Sequence, residues 1–175
     1  MRKRELFIIV FSLFLLLLTQ SVQSQTWQPT KRLTWNAGSS WYPAIATDSS
    51  RNIHVVWHDS TPGNWEIYYK RSTDGGSTWS TQRLTWNSGY SEYPAIATDS
   101  SGNIHVVWCD STTGNYEIYY KRSTDGGSTW TTKRLTWNTG DSRVPAIATD
   151  SSGNIHVVWH DYTPGNGEIY YKKGK

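Results

Sequence analysis

The chain has 175 residues, 17 Lys and Arg against 14 Asp and Glu, and 11 Trp and 11 Tyr beside only 3 Phe. Of its formal +3 charge, +2 falls on Arg2, Lys3, Arg4 and Glu5, so the remainder is close to neutral and recognition of nucleic acid or an anionic membrane by bulk charge is excluded. Aromatic residues with abundant Gly and Ser, and a single Met at position 1, fit short strands joined by tight turns and exclude an all-α bundle.

Residues 1–24 read as a signal peptide: a basic start, an apolar run over 6–18, and Val22-Gln23-Ser24 before the cleavage point. The expected location is therefore secreted or periplasmic. Past the leader no apolar stretch approaches the roughly 18 residues that cross a bilayer. In an oxidising compartment Cys109, the only cysteine, has no internal partner, so stability has to come from packing or association.

From residue 32 the chain repeats itself. Arg-Leu-Thr-Trp-Asn recurs at 32–36, 83–87 and 134–138, and Ile-His-Val-Val-Trp at 53–57, 104–108 and 155–159, a step of 51 without drift. The repeats are about 32–82, 83–133 and 134–175. In the first, strands are predicted at 42–47, 53–58, 65–71 and 81–86, separated by turn residues at Asp48–Asn52, Thr61–Asn64, and Asp74-Gly75-Gly76. Four short antiparallel strands per fixed period near 50 describe one blade of a β-propeller. The runs Ala-Ile-Ala and Val-Val-Trp are apolar on both faces, as in sheets sandwiched between neighbours. The fold class is thus all-β: a partial propeller of three blades, six-bladed if dimeric.

Ser72, Asp74, Gly76, Thr78 and Trp79, and again Ser123, Asp125, Gly127, Thr129 and Trp130, form the pattern S-x-D-x-G-x-T-W. It resembles the Asp-box, or BNR repeat, of the sialidase superfamily. The resemblance implies a β-propeller with this box at the turn between the third and fourth strands. Chemically the motif reads as structural: Asp accepts backbone N–H bonds, Gly supplies positive φ, and Trp covers the hairpin end. A lone carboxylate between glycines lacks the ligands a metal needs, and no metal or cofactor is expected.

The repeats differ in a segregated way. Residues 83–121 and 134–172 differ at eight positions, all within 88–93 or 109–116 and their equivalents; residues 32–79 and 83–130 differ at seven, of which six lie in the matching windows 37–42 and 58–65. Because strand direction alternates, the link into a blade and its turn between strands two and three share one end. Random loop drift would spread over both ends. The expected ligand-binding face therefore carries Trp41, Tyr42, His58 and Trp65 from the first repeat and Tyr90, Glu92, Tyr93 and Tyr116 from the second. The third adds Asp141, Arg143, His160 and Tyr162. Aromatic planes among carboxylates, guanidinium and imidazole suit sugars, whose C–H faces stack while hydroxyls hydrogen-bond. His54, His105 and His156 lie within separate strands and read as packed framework.

The expected function is non-catalytic binding of glycans or a surface partner. The alternative is an exo-sialidase-like glycoside hydrolase. The resemblance implies that such an enzyme would need three arginines, a Tyr nucleophile with an acidic partner, and an Asp acid/base; Arg143, before Val144-Pro145, is the one weak catalytic candidate. A purely structural module is the third possibility. Thr30–Trp35 has a fourth-strand sequence and Glu168–Lys172 a third-strand sequence, so two chains joined head to tail would complete six blades. A homodimer is expected.

Overall fold

A computed structural model describes residues 26–175; the predicted leader lies outside the described residues. Eleven strands and no helix are present among them. The first sheet is β1 (Ser40–Thr47), β2 (Ile53–Asp59), β3 (Glu66–Ser72) and β4 (Ser80–Arg83). The second is β5 (Ser91–Thr98), β6 (Ile104–Asp110), β7 (Glu117–Ser123) and β8 (Thr131–Arg134), and the third is β9 (Ser142–Thr149), β10 (Ile155–Asp161) and β11 (Glu168–Gly174). Each sheet runs in sequence order with antiparallel neighbours. The protein is all-β, a partial propeller of two four-stranded blades and one of three strands. Residues 26–33 form a unit of their own without a strand.

The two-faced apolar runs work as the sequence suggests. Val56, Ile67, Tyr69 and Leu84 of the first blade meet Ile96, Ile104, Val106 and Trp108 of the second in one buried slab. Val107, Cys109 and Ile118 of the second blade meet Ile155, Val157 and Trp159 of the third in another. Adjacent residues of one strand, such as Val106 and Val107, thus serve opposite interfaces, because successive side chains point to opposite faces. The first strands of the blades lie side by side at the centre. Thr98 Oγ1 donates to the Thr47 carbonyl and Thr149 Oγ1 to the Thr98 carbonyl, both at 2.8 Å.

The predicted strands hold except at the fourth, expected over 81–86 and found as Ser80–Arg83. The ladder stops because a side chain takes over: the Ile67 N–H donates to Thr85 Oγ1 at 2.8 Å, while Leu84 N–H still reaches the Ile67 carbonyl at 2.7 Å. The second blade repeats this with Ile118 and Thr136 at 2.8 Å.

One end of each blade is closed by its own residues. Asp74 accepts from Thr78 N–H at 2.9 Å, Thr78 Oγ1 at 2.6 Å and Ser72 Oγ at 2.8 Å. Gly76 N–H donates to Ser72 Oγ at 2.8 Å and Trp79 Nε1 to the Gly76 carbonyl at 3.0 Å. Gly75 and Gly76 have φ of 69° and 89°, where a side chain would strain the backbone. These bonds hold the Asp74 and Asp125 carboxyls down at about 2, chiefly through Thr78 and Thr129. Nearby, His54 Nε2 donates to Asp48 at 3.2 Å, and its Nδ1 lies 2.8 Å from Tyr69 OH. Burial lowers the pKa of that imidazole below its ordinary value. The same trio occurs around His105 and His156, one per blade, in framework roles.

Candidate functional site

At the other end the link into each blade lies against the turn between its second and third strands. Ser60 N–H donates to the Ser39 carbonyl at 3.0 Å, and Ser39 N–H to Ser60 Oγ at 2.9 Å. Gly38 explains the closeness: a Cβ there would fall on the backbone of Ser60 and Thr61, as one on Gly89 would on that of Ser111 and Thr112 in the second blade. Beneath them, Asp59 ties the segments together, accepting from Ser40 Oγ at 2.7 Å, Trp57 Nε1 at 3.0 Å and Thr61 N–H at 2.9 Å. Asp110 and Asp161 do the same in their blades. These three aspartates adjoin the variable residues but are spent on the framework.

Each first strand is bulged as it leaves this end, with register breaks between Trp41 and Ala44, Glu92 and Ala95, and opposite Val158 to His160. Tyr42, Tyr93 and Val144, each before a proline, have φ of 51°, 52° and 49°. Left-handed backbone at non-glycine residues is strained, most of all at β-branched valine. The bulge brings the Tyr42 and Tyr93 rings together across the first blade junction. Sequence reasoning located the variable windows without this strain; its trace is the residue before Pro43, Pro94 and Pro145.

Two clusters result. Between the first and second blades, Trp41 and Trp65 have ring centroids 5.1 Å apart, and His58 lies 4.7 Å from Trp65 and 5.2 Å from Tyr42. Tyr93 meets Tyr42 edge-on at 4.6 Å. Trp41 and Tyr42 remain 55 % and 54 % exposed, whereas His58 is 1 % exposed. Tyr93 N–H donates to His58 Nδ1 at 3.1 Å, so the proton of the neutral ring sits on Nε2, which is buried without a hydrogen-bond partner among the described residues. Burial drives the His58 pKa down to about 4.

Between the second and third blades the chemistry is polar. Tyr116 OH donates to Glu92 Oε2 at 2.6 Å, and the Arg143 guanidinium stacks 3.7 Å from the Tyr116 ring centroid. Asp141 Oδ2 accepts from Arg143 Nε at 3.1 Å and pairs with its Nη2 at 3.0 Å, while Asp141 Oδ1 accepts Tyr116 N–H at 2.9 Å. Burial and the Glu92 carboxylate raise the Tyr116 phenol well above its usual range. Cys109 lies underneath, its thiol pushed up to about 12 by burial, and so is a packed small side chain without thiolate reactivity.

In the third blade His160 and Tyr162 meet edge-on at 5.3 Å. Tyr162 occupies a position that is Ser60 and Ser111 in the other repeats, whereas Gly167 stands where they have Trp65 and Tyr116. A Cβ on Gly167 would lie 3.3 Å from the Tyr162 ring. The loss of one aromatic side chain is thus matched by the gain of another in the same space. Tyr90 stays on the rim, half exposed, its N–H bonded to Ser111 Oγ at 2.9 Å.

Comparison with known proteins gives a fold. No family model matches the chain and no curated protein matches it. Among solved structures, the chain is similar to a sialidase named Hadza microbial sialidase Hz136, with TM-score 0.62, 16 % identity, 78 % of this chain and 35 % of that one. It is similar to the GH93 α-L-arabinofuranosidase of Fusarium graminearum, with TM-score 0.65, 16 % identity, 77 % of this chain and 45 % of that one. A fucose lectin from Kordia zhangzhouensis, in complex with methyl-fucoside, matches at TM-score 0.52 and 20 % identity, over 76 % of this chain and 93 % of that one. The chain spans less than half the length of the two glycosidases. The class defined is a propeller-type fold of the kind carried by sialidases, arabinofuranosidases and a lectin.

Proposed function

We propose that this is an exported, non-catalytic propeller of the Asp-box type that binds glycans through the face carrying Trp41, Trp65, Tyr116 and Tyr162, and that it acts as a head-to-tail homodimer. The observation that carries the binding role is the exchange in the third blade: Tyr162 fills the place that Gly167 leaves open. Drift alone has no reason to restore a ring at each blade end, whereas a stacking platform for sugar C–H faces requires one. The neighbours that act on or bind carbohydrate support the same ligand class. Several similar sites on one rigid scaffold gain avidity toward clustered glycans.

A glycan array tests the reading. The mature chain should retain a defined set of glycans, and Trp65→Ala, which removes the Trp41 stacking partner, should weaken binding at least tenfold. Unchanged binding by Trp41→Ala and Trp65→Ala would refute the platform.

A second reading rests on one contact: the 2.6 Å bond of Tyr116 to Glu92 beside Arg143 pairs a phenol with a carboxylate, as a tyrosine-nucleophile glycosidase requires. Against it, the phenol is held protonated and Arg143 is already paired to Asp141. Release of fluorophore from a fluorogenic sialoside, lost in Arg143→Ala, would favour the hydrolase instead.

A further inference from the structure

The two blade junctions act as templates for a third. On the outward side of the last blade, Val158, Ile169 and Tyr171 are exposed, Ile169 by 77 % and Tyr171 by 58 %. One and two repeats earlier their counterparts, such as Val56, Ile67 and Tyr69, are buried against the next blade. The face of the first blade that has no blade beside it exposes Ile45 by 67 %, where Ile96 is packed in the first junction and Ile147 in the second. The two exposed faces therefore carry the two halves of an interface that the same protein already makes twice.

A cavity of about 440 Å3 adds a second observation. It lies between the second and third blades at the end away from the variable face, and is lined by Tyr120, Arg122, Lys133, Leu135, Ile155 and Lys172, among others. In the preceding junction the corresponding space receives Trp130, which packs edge-on against Tyr69 at 5.3 Å and donates to Gln82 at 3.1 Å. The counterparts of Tyr69 and Gln82 are Tyr120 and Lys133, both in the cavity wall. The chain holds one more Thr-Trp pair ahead of an Arg-Leu-Thr-Trp run: Thr26-Trp27, five residues before Arg32, where Trp79 and Trp130 stand four before Arg83 and Arg134. Trp27 is 86 % exposed.

We infer that residues 26–35 of a second copy form the fourth strand of the last blade, with a one-residue bulge ahead of Arg32 that lets Trp27 of that copy enter the cavity against Tyr120. This rests on the dimer reading above and adds its register. In the first two blades Tyr68 pairs with Arg83 and Tyr119 with Arg134, so Tyr170 pairs with Arg32 of the second copy. Buried Glu66 and Glu117 hold Arg83 and Arg134 at 2.9 and 2.8 Å; Glu168 holds Arg32 of the second copy in the same way. The arrangement is reciprocal, so two such contacts close the ring. It also makes a ligand site that neither copy contains alone: His160 and Tyr162 of one copy face Trp41 and Tyr42 of the other, as His58 faces Tyr93 within the chain.

Light scattering and sedimentation of the mature chain decide it. The wild type should run as a dimer. Arg32→Glu and Glu168→Arg, each placing like charges together, should shift it to monomer with at least a tenfold weaker association, and the double exchange should restore the dimer. Trp27→Ala should weaken association without unfolding the monomer. A dimer indifferent to all four variants overturns the register while leaving dimerisation standing. A folded monomeric wild type overturns both, and the glycan array then still judges the binding face on its own.

Discussion

The two ends of each blade are built from the same strands by opposite rules. At the Asp-box end a short turn satisfies itself: Ser72, Asp74 and Thr78 exchange their bonds within seven residues, and Asp74 is left with acceptors already engaged. At the variable end, partners come from different blades, as in Tyr93 with His58 or Tyr116 with Asp141. The first arrangement is closed and can repeat unchanged. The second leaves ring faces and polar edges open, and there the repeats diverge.

The largest expected effect lies in the layer that separates the ends from the surface. Arg83→Ala strips the fully buried Glu66 of its ion pair and should cost about 3–5 kcal/mol, the usual consequence of leaving a buried charge uncompensated. Urea unfolding measures it, and a loss below about 1 kcal/mol would place Glu66 in contact with water.

A smaller, pH-dependent effect is specific to the variable end. With its folded pKa near 4 against an ordinary 6.5, His58 takes up its proton more readily when the chain is unfolded. Stability is then complete above about pH 6.5 and falls as pH drops toward 4, by at most about 3 kcal/mol. His58→Cys, which copies Cys109 of the second blade, should flatten that part of the profile in thermal melts taken between pH 4 and 7. An unchanged profile would assign the acid sensitivity elsewhere.

The smallest effects bear directly on the comparison. Ser72→Ala removes the acceptor of a half-buried Gly76 N–H and should cost about 1 kcal/mol. Tyr90→Ala on the opposite rim should stay within about 0.5 kcal/mol, as exposed substitutions do. Equal losses at the two sites in chemical denaturation would remove the distinction between a closed end and an open one.

The architecture was legible because repetition multiplies a weak signal. A strand such as Ile53–Asp59 is ambiguous alone, but three copies at one spacing fix its length, its turns and its apolar faces, and the position of substitutions identifies which loops share an end. Even so, Thr85 reads as strand in the sequence, and only the bond from Ile67 N–H to its hydroxyl shows where the fourth strand stops.

Sequence by itself determined the blade, the Asp-box turn and the face on which Trp41 and Trp65 meet, since these follow from local periodicity and alternating strand direction. Tertiary structure decided which residues share a site: Arg143 on Tyr116, Tyr162 in the space beside Gly167, and His58 buried beneath Tyr42. Those pairings join residues from neighbouring blades or adjoining loops. Their distances are set by blade packing and by the strained bulges before the prolines, which no periodicity encodes.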